Sequence, residues 1–163
     1  MSLEDVNLGL ANYWKVTCLD ADGNIKWEEE KKNLITTVGL NHILDTQFHA
    51  STQVTTWYIG LKGAGTPAAA DTMASHSAWS ELTGYSGNRK AWTEGAASSG
   101  SMTNGTSVDF SLNASATIAG AFLNTGETGT LGTLYGVVDF SAARAVISGD
   151  TLQVTVTVTA ASA

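Results

Sequence analysis

The chain has one cysteine and one proline in 163 residues, and only 14% of it is charged. The single thiol, Cys18, excludes an internal disulfide and any thiolate metal cluster. Eight lysines and arginines stand against fifteen acids, for a net charge of −7. The cations sit beside acids, as in the EEEKK of Glu28–Lys32. A phosphate-backbone binder needs clustered cations to release counterions, so nucleic acid is not an expected partner. No run approaches the ~18 apolar residues of a membrane span, and no membrane partner is expected. The opening segment, MSLEDVNLGL, carries acids where a signal peptide needs cations. The expectation is therefore synthesis in the cytoplasm without a standard export signal. On that expectation the glycosylation-type triplets at Asn104 and Asn113 have no consequence.

What is present suffices for a core. Hydrophobic residues make up 43% of the chain, and a chain of this size buries roughly 70% of its unfolded surface. Abundant Ser, Thr, Ala and Gly with little charge suit a surface held against other protein. The expected organisation is one domain over residues 1–163, with residues 1–10 as an N-terminal arm.

Trp14, Val16 and Cys18 alternate with Lys15 and Thr17, the period-two signature of a half-buried strand. Cys18 then faces either the core or the opposite side of its strand. Asp20–Asn24 (DADGN) is a hairpin turn, because Asp-Gly favours positive φ. Ile25–Glu29 is the returning strand, and Trp14 and Trp27 are expected to meet across the hairpin. A helix is predicted from about Val38 to Phe48, capped by Thr36 or Thr37, with Leu40, Ile43, Leu44 and Phe48 on one apolar face. That stripe is expected to cover a sheet or close one end of it.

From Thr55 onward the pattern is β. Strands are expected at Thr56–Leu61, Trp79–Tyr85, Arg89–Thr93, Ser107–Leu112, Thr117–Leu123, Leu134–Phe140 and Thr151–Thr159. Gly63–Ala70 reads as a loop holding Pro67, Asp71–His76 as a helical turn capped by Asp71, and Gly95–Gly105 as a long surface loop. Eight to ten short strands with Gly, Ser and Asn punctuation imply an all-β fold: an antiparallel β-sandwich, jelly-roll-like, with one short amphipathic helix.

The residues that carry chemistry do not assemble into a constellation. Asp20, Asp22 and Asn24 start like a calcium loop, but Gly23 is fourth where glycine belongs sixth, and Lys31 stands twelfth where a bidentate Glu belongs. His42, Asp45 and His49 outline a zinc site without a fourth ligand. Asp109 and Asp139 each precede a Phe in VDF, an alternating strand pattern before it is a carboxylate dyad. GLKGAG at Gly60–Gly65 lacks the GK[ST] ending of a P-loop, and no GxSxG elbow occurs. The expectation is a non-enzyme with no catalytic, metal-binding or cofactor-binding residues and no cofactor. Trp57, Tyr58, Trp79, Tyr85 and Trp92 cluster in the middle third. They serve either core and interface packing or, if exposed, carbohydrate stacking.

Several segments carry a resemblance. Residues 14–27 fit W-x-V-x-C-x-D-x-D-G-N-x-K-W, followed by NLITTVGLN, WYIGL and AAADTMASHSAW, then FSLNASATIAGAFL and GTLYGVVDFSAARAVISGDTLQVTVTVT. This wording, which covers most of the chain, is similar to a group of small virion structural proteins of tailed bacteriophages. NRKAW at Asn88–Trp92 departs from it, since relatives tend to show a Thr-Arg-Pro type of turn there. The resemblance implies a capsid decoration (cement) protein on the outer shell, with the major capsid protein as partner and a dimeric or trimeric homo-oligomer. The alternative is a tail-associated or receptor-binding protein with sugar-stacking Trp57, Trp79 or Trp92. The hairpin and arm, Met1–Glu30, are expected to contact the shell or a sister subunit. Leu3, Val6, Leu8, Leu10, Trp14 and Trp27 are the expected interface residues.

Overall fold

Alternation decides the first sheet of the computed structural model, which describes residues 9–161. Strand β1 (Gly9–Leu19) buries Trp14, Val16 and Cys18 and turns Tyr13 and Lys15 outward. At Leu19 the chain reverses: the Asp20 carboxylate accepts from the backbone N–H of Asp22 at 2.9 Å and of Asn24 at 2.8 Å, while Gly23 takes φ +84°. Strand β2 (Ile25–Lys32) returns antiparallel to β1. Its register sets Trp27 opposite Cys18 and Trp14 opposite Lys31. The two tryptophans therefore do not meet, contrary to the sequence expectation, because a five-residue turn and a bulge after Cys18 fix the pairing.

Strand β3 (Leu34–Ile35) leads into α1 (Thr37–Phe48), and Thr36 caps that helix by accepting from the Gly39 N–H at 3.1 Å. Then come β4 (Trp57–Lys62), β5 (Glu81–Leu82), β6 (Lys90–Trp92), β7 (Ser101–Thr103), β8 (Val108–Ser111), β9 (Ala116–Asn124), β10 (Leu134–Val146) and β11 (Thr151–Ala161). They form two antiparallel sheets packed face to face. The five-stranded sheet runs β2-β1-β11-β7, with β8 also on β11. The six-stranded sheet runs β3-β10-β9-β4-β5, with β6 also on β4. The fold is the expected all-β sandwich with one short helix. Among the described residues, the first strand pairs with the last, all along β1 and β11.

Between the sheets lies the main core, built on Trp14, Val16, Ile59, Leu61, Phe110, Ile118, Leu123, Val138, Leu152, Val154 and Val156. A second cluster of Met73, Trp79, Phe122, Leu134 and Val137 sits on the other face of the six-stranded sheet. Adjacent residues go to opposite clusters: Leu123 to the first and Phe122 to the second, Val138 to the first and Val137 to the second. That is the period-two consequence of a sheet buried on both faces, and such strands read as continuous apolar runs.

Three local expectations are corrected. Ser101–Thr103, expected within a loop, forms β7, because it pairs antiparallel with β11 and Met102 packs against the core. Of Trp79–Tyr85, only Glu81 and Leu82 pair as strand. Asp71–His76 is no helical turn but a tight turn closed by mutual Thr72–Ser75 bonds of 3.0 and 3.1 Å.

Candidate functional site

The expected interface residues fall into three groups. Leu3, Val6 and Leu8 lie outside the described residues. Leu10 is half-buried and already part of β1, so the arm, expected to reach residue 10, gives way to strand at Gly9. Trp14 is 1% exposed and belongs to the core, where alternation and pairing with β11 direct it; it is not available to a partner. Trp27 is half-buried: its ring meets Phe140 edge-on at 5.8 Å, with the Arg144 guanidinium 5.8 Å above it. It braces the hairpin against β10.

That brace is reinforced by charge. Glu29, 7% exposed, accepts from the Ser141 N–H and from Arg144 at 3.2 Å. Burial pushes its carboxyl up, but these donors outweigh burial and hold it below its ordinary value. Lys26 meets the buried Asp150 carboxylate at 2.5 Å, which raises the lysine, and Asp150 also accepts from the Ile147 N–H. The hairpin is thereby tied to the β10–β11 connection. Cys18 faces inward; its thiol is pushed up to about 11, by burial first and the Asp150 carboxylate second.

The most distinctive wording of the sequence, DTMASHSAW at Asp71–Trp79, becomes a plug on the outer face of the six-stranded sheet. Met73 and Trp79 are buried there, the Trp79 ring 5.4 Å from Phe122. One oxygen of Asp71 accepts from Trp79 Nε1 at 2.9 Å and from the Ala68 N–H at 2.9 Å. His76 stacks on Trp79 at 4.0 Å, and its Nδ1 lies 3.1 Å from the Trp79 carbonyl oxygen. Beneath the same loop, the fully buried Lys62 donates to the Gly63 and Gly65 carbonyls and makes ionic contact with Asp139 at 2.6 Å. Asp71, Thr72, Ser75 and His76, four of the polar residues of the segment that stands out in the sequence, are thus engaged in holding the loop down.

The NRKAW departure is also structural. Arg89, 4% exposed, forms a two-pronged pair with Glu81 at 2.6 and 2.8 Å. It donates as well to the Gly126 and Gly129 carbonyls, and its guanidinium lies 5.2 Å above Phe122. The neighbouring Tyr85 hydroxyl is pushed up to about 12, by burial and then by the Glu81 carboxylate.

The other candidate chemistries separate in space. Asp109 lies on β8 in the five-stranded sheet and Asp139 on β10 in the six-stranded one, so the two VDF motifs do not face each other as a dyad. His42 packs edge-on against Trp57 at 5.4 Å rather than toward His49, which ends the helix. Among the described residues, no three His, Cys, Asp or Glu side chains are placed to hold a metal ion. Trp79 and Trp92, on which sugar stacking would rely, are each 5% exposed.

What remains open is one end of the sandwich, where α1 sits. The helix turns Gly39 against β10, so closely that a Cβ there would overlap the Tyr135 carbonyl oxygen. Thr36 and Ile43 share the inward side; Leu40, Leu44 and Phe48 are 40%, 55% and 85% exposed. The apolar stripe expected to cover the sheet therefore faces outward, apart from Ile43. The signal was present in the spacing: Leu40, Leu44 and Phe48 form an i, i+4, i+8 line displaced from the line of Thr36, Gly39 and Ile43. Beneath the helix lies a part-open apolar cavity of about 160 Å³, lined by Ile43, Trp57, Trp92, Met102, Tyr135 and Val158. Trp57 and Tyr135 meet edge-on at 5.6 Å in its wall. An exposed apolar line thus stands beside an apolar hollow at this end. No protein-family model matches this chain, and no curated protein is similar to it at a significant level.

Proposed function

We propose that this chain is a structural protein of a tailed-bacteriophage virion, and specifically a decoration protein that binds the outer face of the capsid shell and stabilises it. The observation that carries this reading is the fate of the DTMASHSAW segment. The residues most characteristic of the resemblance, Asp71, Met73, His76 and Trp79, are engaged in packing and in holding a loop on a sheet. What such wording preserves is then a shape, which is what a cementing protein supplies. The rigid sandwich, the low charge and the outward apolar line on α1 accord with it. A surface with little charge has less to desolvate on docking, and many symmetry-related copies reinforce one another on a lattice.

In this reading the major capsid protein is the partner, and the N-terminal hairpin lies at or near the contact. Its outer strand β2 is an edge, exposing Glu28, Glu30 and Lys32. The test is co-sedimentation of the recombinant chain with mature heads stripped of their decoration. Saturable binding at a fixed ratio to the shell subunit is the expected result; absence of binding overturns the decoration reading. Deleting Met1–Leu8 leaves β1 whole and is expected to weaken that binding, with the melting temperature unchanged. The receptor-binding alternative has less to rest on, since two of its three tryptophans are in the core.

A further inference from the structure

The end of the sandwich at α1 carries a knob and a hole. The knob is Phe48, 85% exposed at the last residue of the helix, in line with Leu44 and Leu40. The hole is the 160 Å³ cavity under the same helix. Cavities of about 150 Å³ lined by apolar side chains accept one benzene ring, so the hole is the size of one phenyl group. Its lining suits such a ring: Trp57, Trp92 and Tyr135 offer aromatic edges and faces, and Met102 a thioether, both favoured neighbours of a phenyl ring. A shallower recess lined by Thr46, Gln47, Gln53 and Val54 shares Ile43 and Trp57 with the cavity, so its rim runs along the C-terminal half of α1 toward Phe48.

We infer that this surface is the contact between two copies of the chain, related by a two-fold axis, with Phe48 of each copy seated in the cavity of the other. Three observations select a second copy as occupant. The knob and hole lie five residues apart on one helix, about 7.5 Å along its axis. A single two-fold axis between them satisfies both copies at once, whereas a head-to-tail arrangement leaves an exposed Phe48 at one end and an empty cavity at the other. The charge also fits. The molecule carries a net −7, which opposes self-association, but the helix contributes only one acid, Asp45, between His42 and His49. The apolar line is continued by Leu44 and Leu40, which meet their counterparts once Phe48 is seated. This inference concerns the free chain and stands independently of any capsid.

The test is sedimentation equilibrium of the full chain over a wide concentration range, beside tryptophan emission, because Trp57 and Trp92 line the cavity. The wild type is expected to dimerise, with an emission change on dilution. Phe48→Ala is expected to weaken dimerisation at least about tenfold, as truncation of a buried aromatic anchor does, and to abolish the emission change. Since Phe48 is exposed in the single chain, its circular dichroism and melting temperature should match those of the wild type at concentrations where both are monomeric. Leu44→Lys is expected to have the same effect by placing two like charges at the axis. A chain that stays monomeric at millimolar concentration, a trimer, or a dimer insensitive to Phe48→Ala overturns the inference.

Discussion

The two sheets of the sandwich share one core and differ in their outer faces. Outside the five-stranded sheet stand Tyr13, Lys15, Thr17, Thr103, Asp109, Ser111, Thr155 and Thr157, a polar face rich in threonine. Outside the six-stranded sheet the loop Gly63–Ser80 seals Met73, Trp79 and Phe122 from water. The first sheet shows clean alternation, as in the iBiBiB pattern that opens β11. The second does not, as in the unbroken burial of β4 from Ile59 to Lys62 and of β9 from Gly120 to Asn124. An antiparallel sheet needs only one buried face for stability. The second burial layer therefore concerns the loop: it turns an eighteen-residue connection into a fixed surface.

This contrast can be broken at graded points. Phe122→Ala removes a fully buried ring from over Gly60, where a Cβ would overlap it, and should cost about 3–5 kcal/mol in urea unfolding. Thr155→Ala on the opposite outer face should stay within about 0.5 kcal/mol. Comparable losses at the two positions would refute the distinction. Asp71→Ala deprives Trp79 Nε1 and the Ala68 N–H of their acceptor and should cost about 1–3 kcal/mol. The loss should appear first as faster hydrogen exchange in residues 63–80, with β1 and β11 unaffected.

Acid should act on the hairpin. Asp20, hydrogen-bonded by Asn24 and Asp22, and Glu28, bonded by Thr17 and Lys15, are held below their ordinary values, as is Glu29. A carboxyl depressed in the folded state contributes stability that is present above its unfolded value, roughly pH 4. That contribution disappears as pH falls through the lower folded value. Stability should thus be flat from neutral down to about pH 5 and decline below about pH 4, with β2 losing amide protection before β9. Equal loss in β9 would remove the regional assignment. The smallest effect is chemical: with Cys18 fully buried and its thiol pushed up to about 11, alkylation at pH 8 should be undetectable until the chain unfolds.

Much of the five-stranded sheet and of the helix was legible in the sequence, because the forces that shape them are local. Alternation placed β1 and β11, Asp20 and Gly23 placed the turn, and the pair Thr36–Thr37 placed the start of α1, with Thr36 serving as the cap. The six-stranded sheet was legible only as a set of apolar segments. Periodicity cannot distinguish one buried face from two, and nothing in Ser101–Thr103 marks a strand until β11 lies beside it. The candidate site was legible as residues but not as a surface.

By itself, then, the sequence determined the class of fold, the turn and cap chemistry, and the scarcity of charge on the surface. Only the tertiary structure decided which side of α1 faces the core, since that depends on the contact of Gly39 with the Tyr135 backbone, ninety-six residues away in the chain. The same contact turns Leu40, Leu44 and Phe48 outward. Trp14 and Trp27 parted for a similar reason: a register is set by hydrogen bonds between strands, and one bulge moves every partner after it.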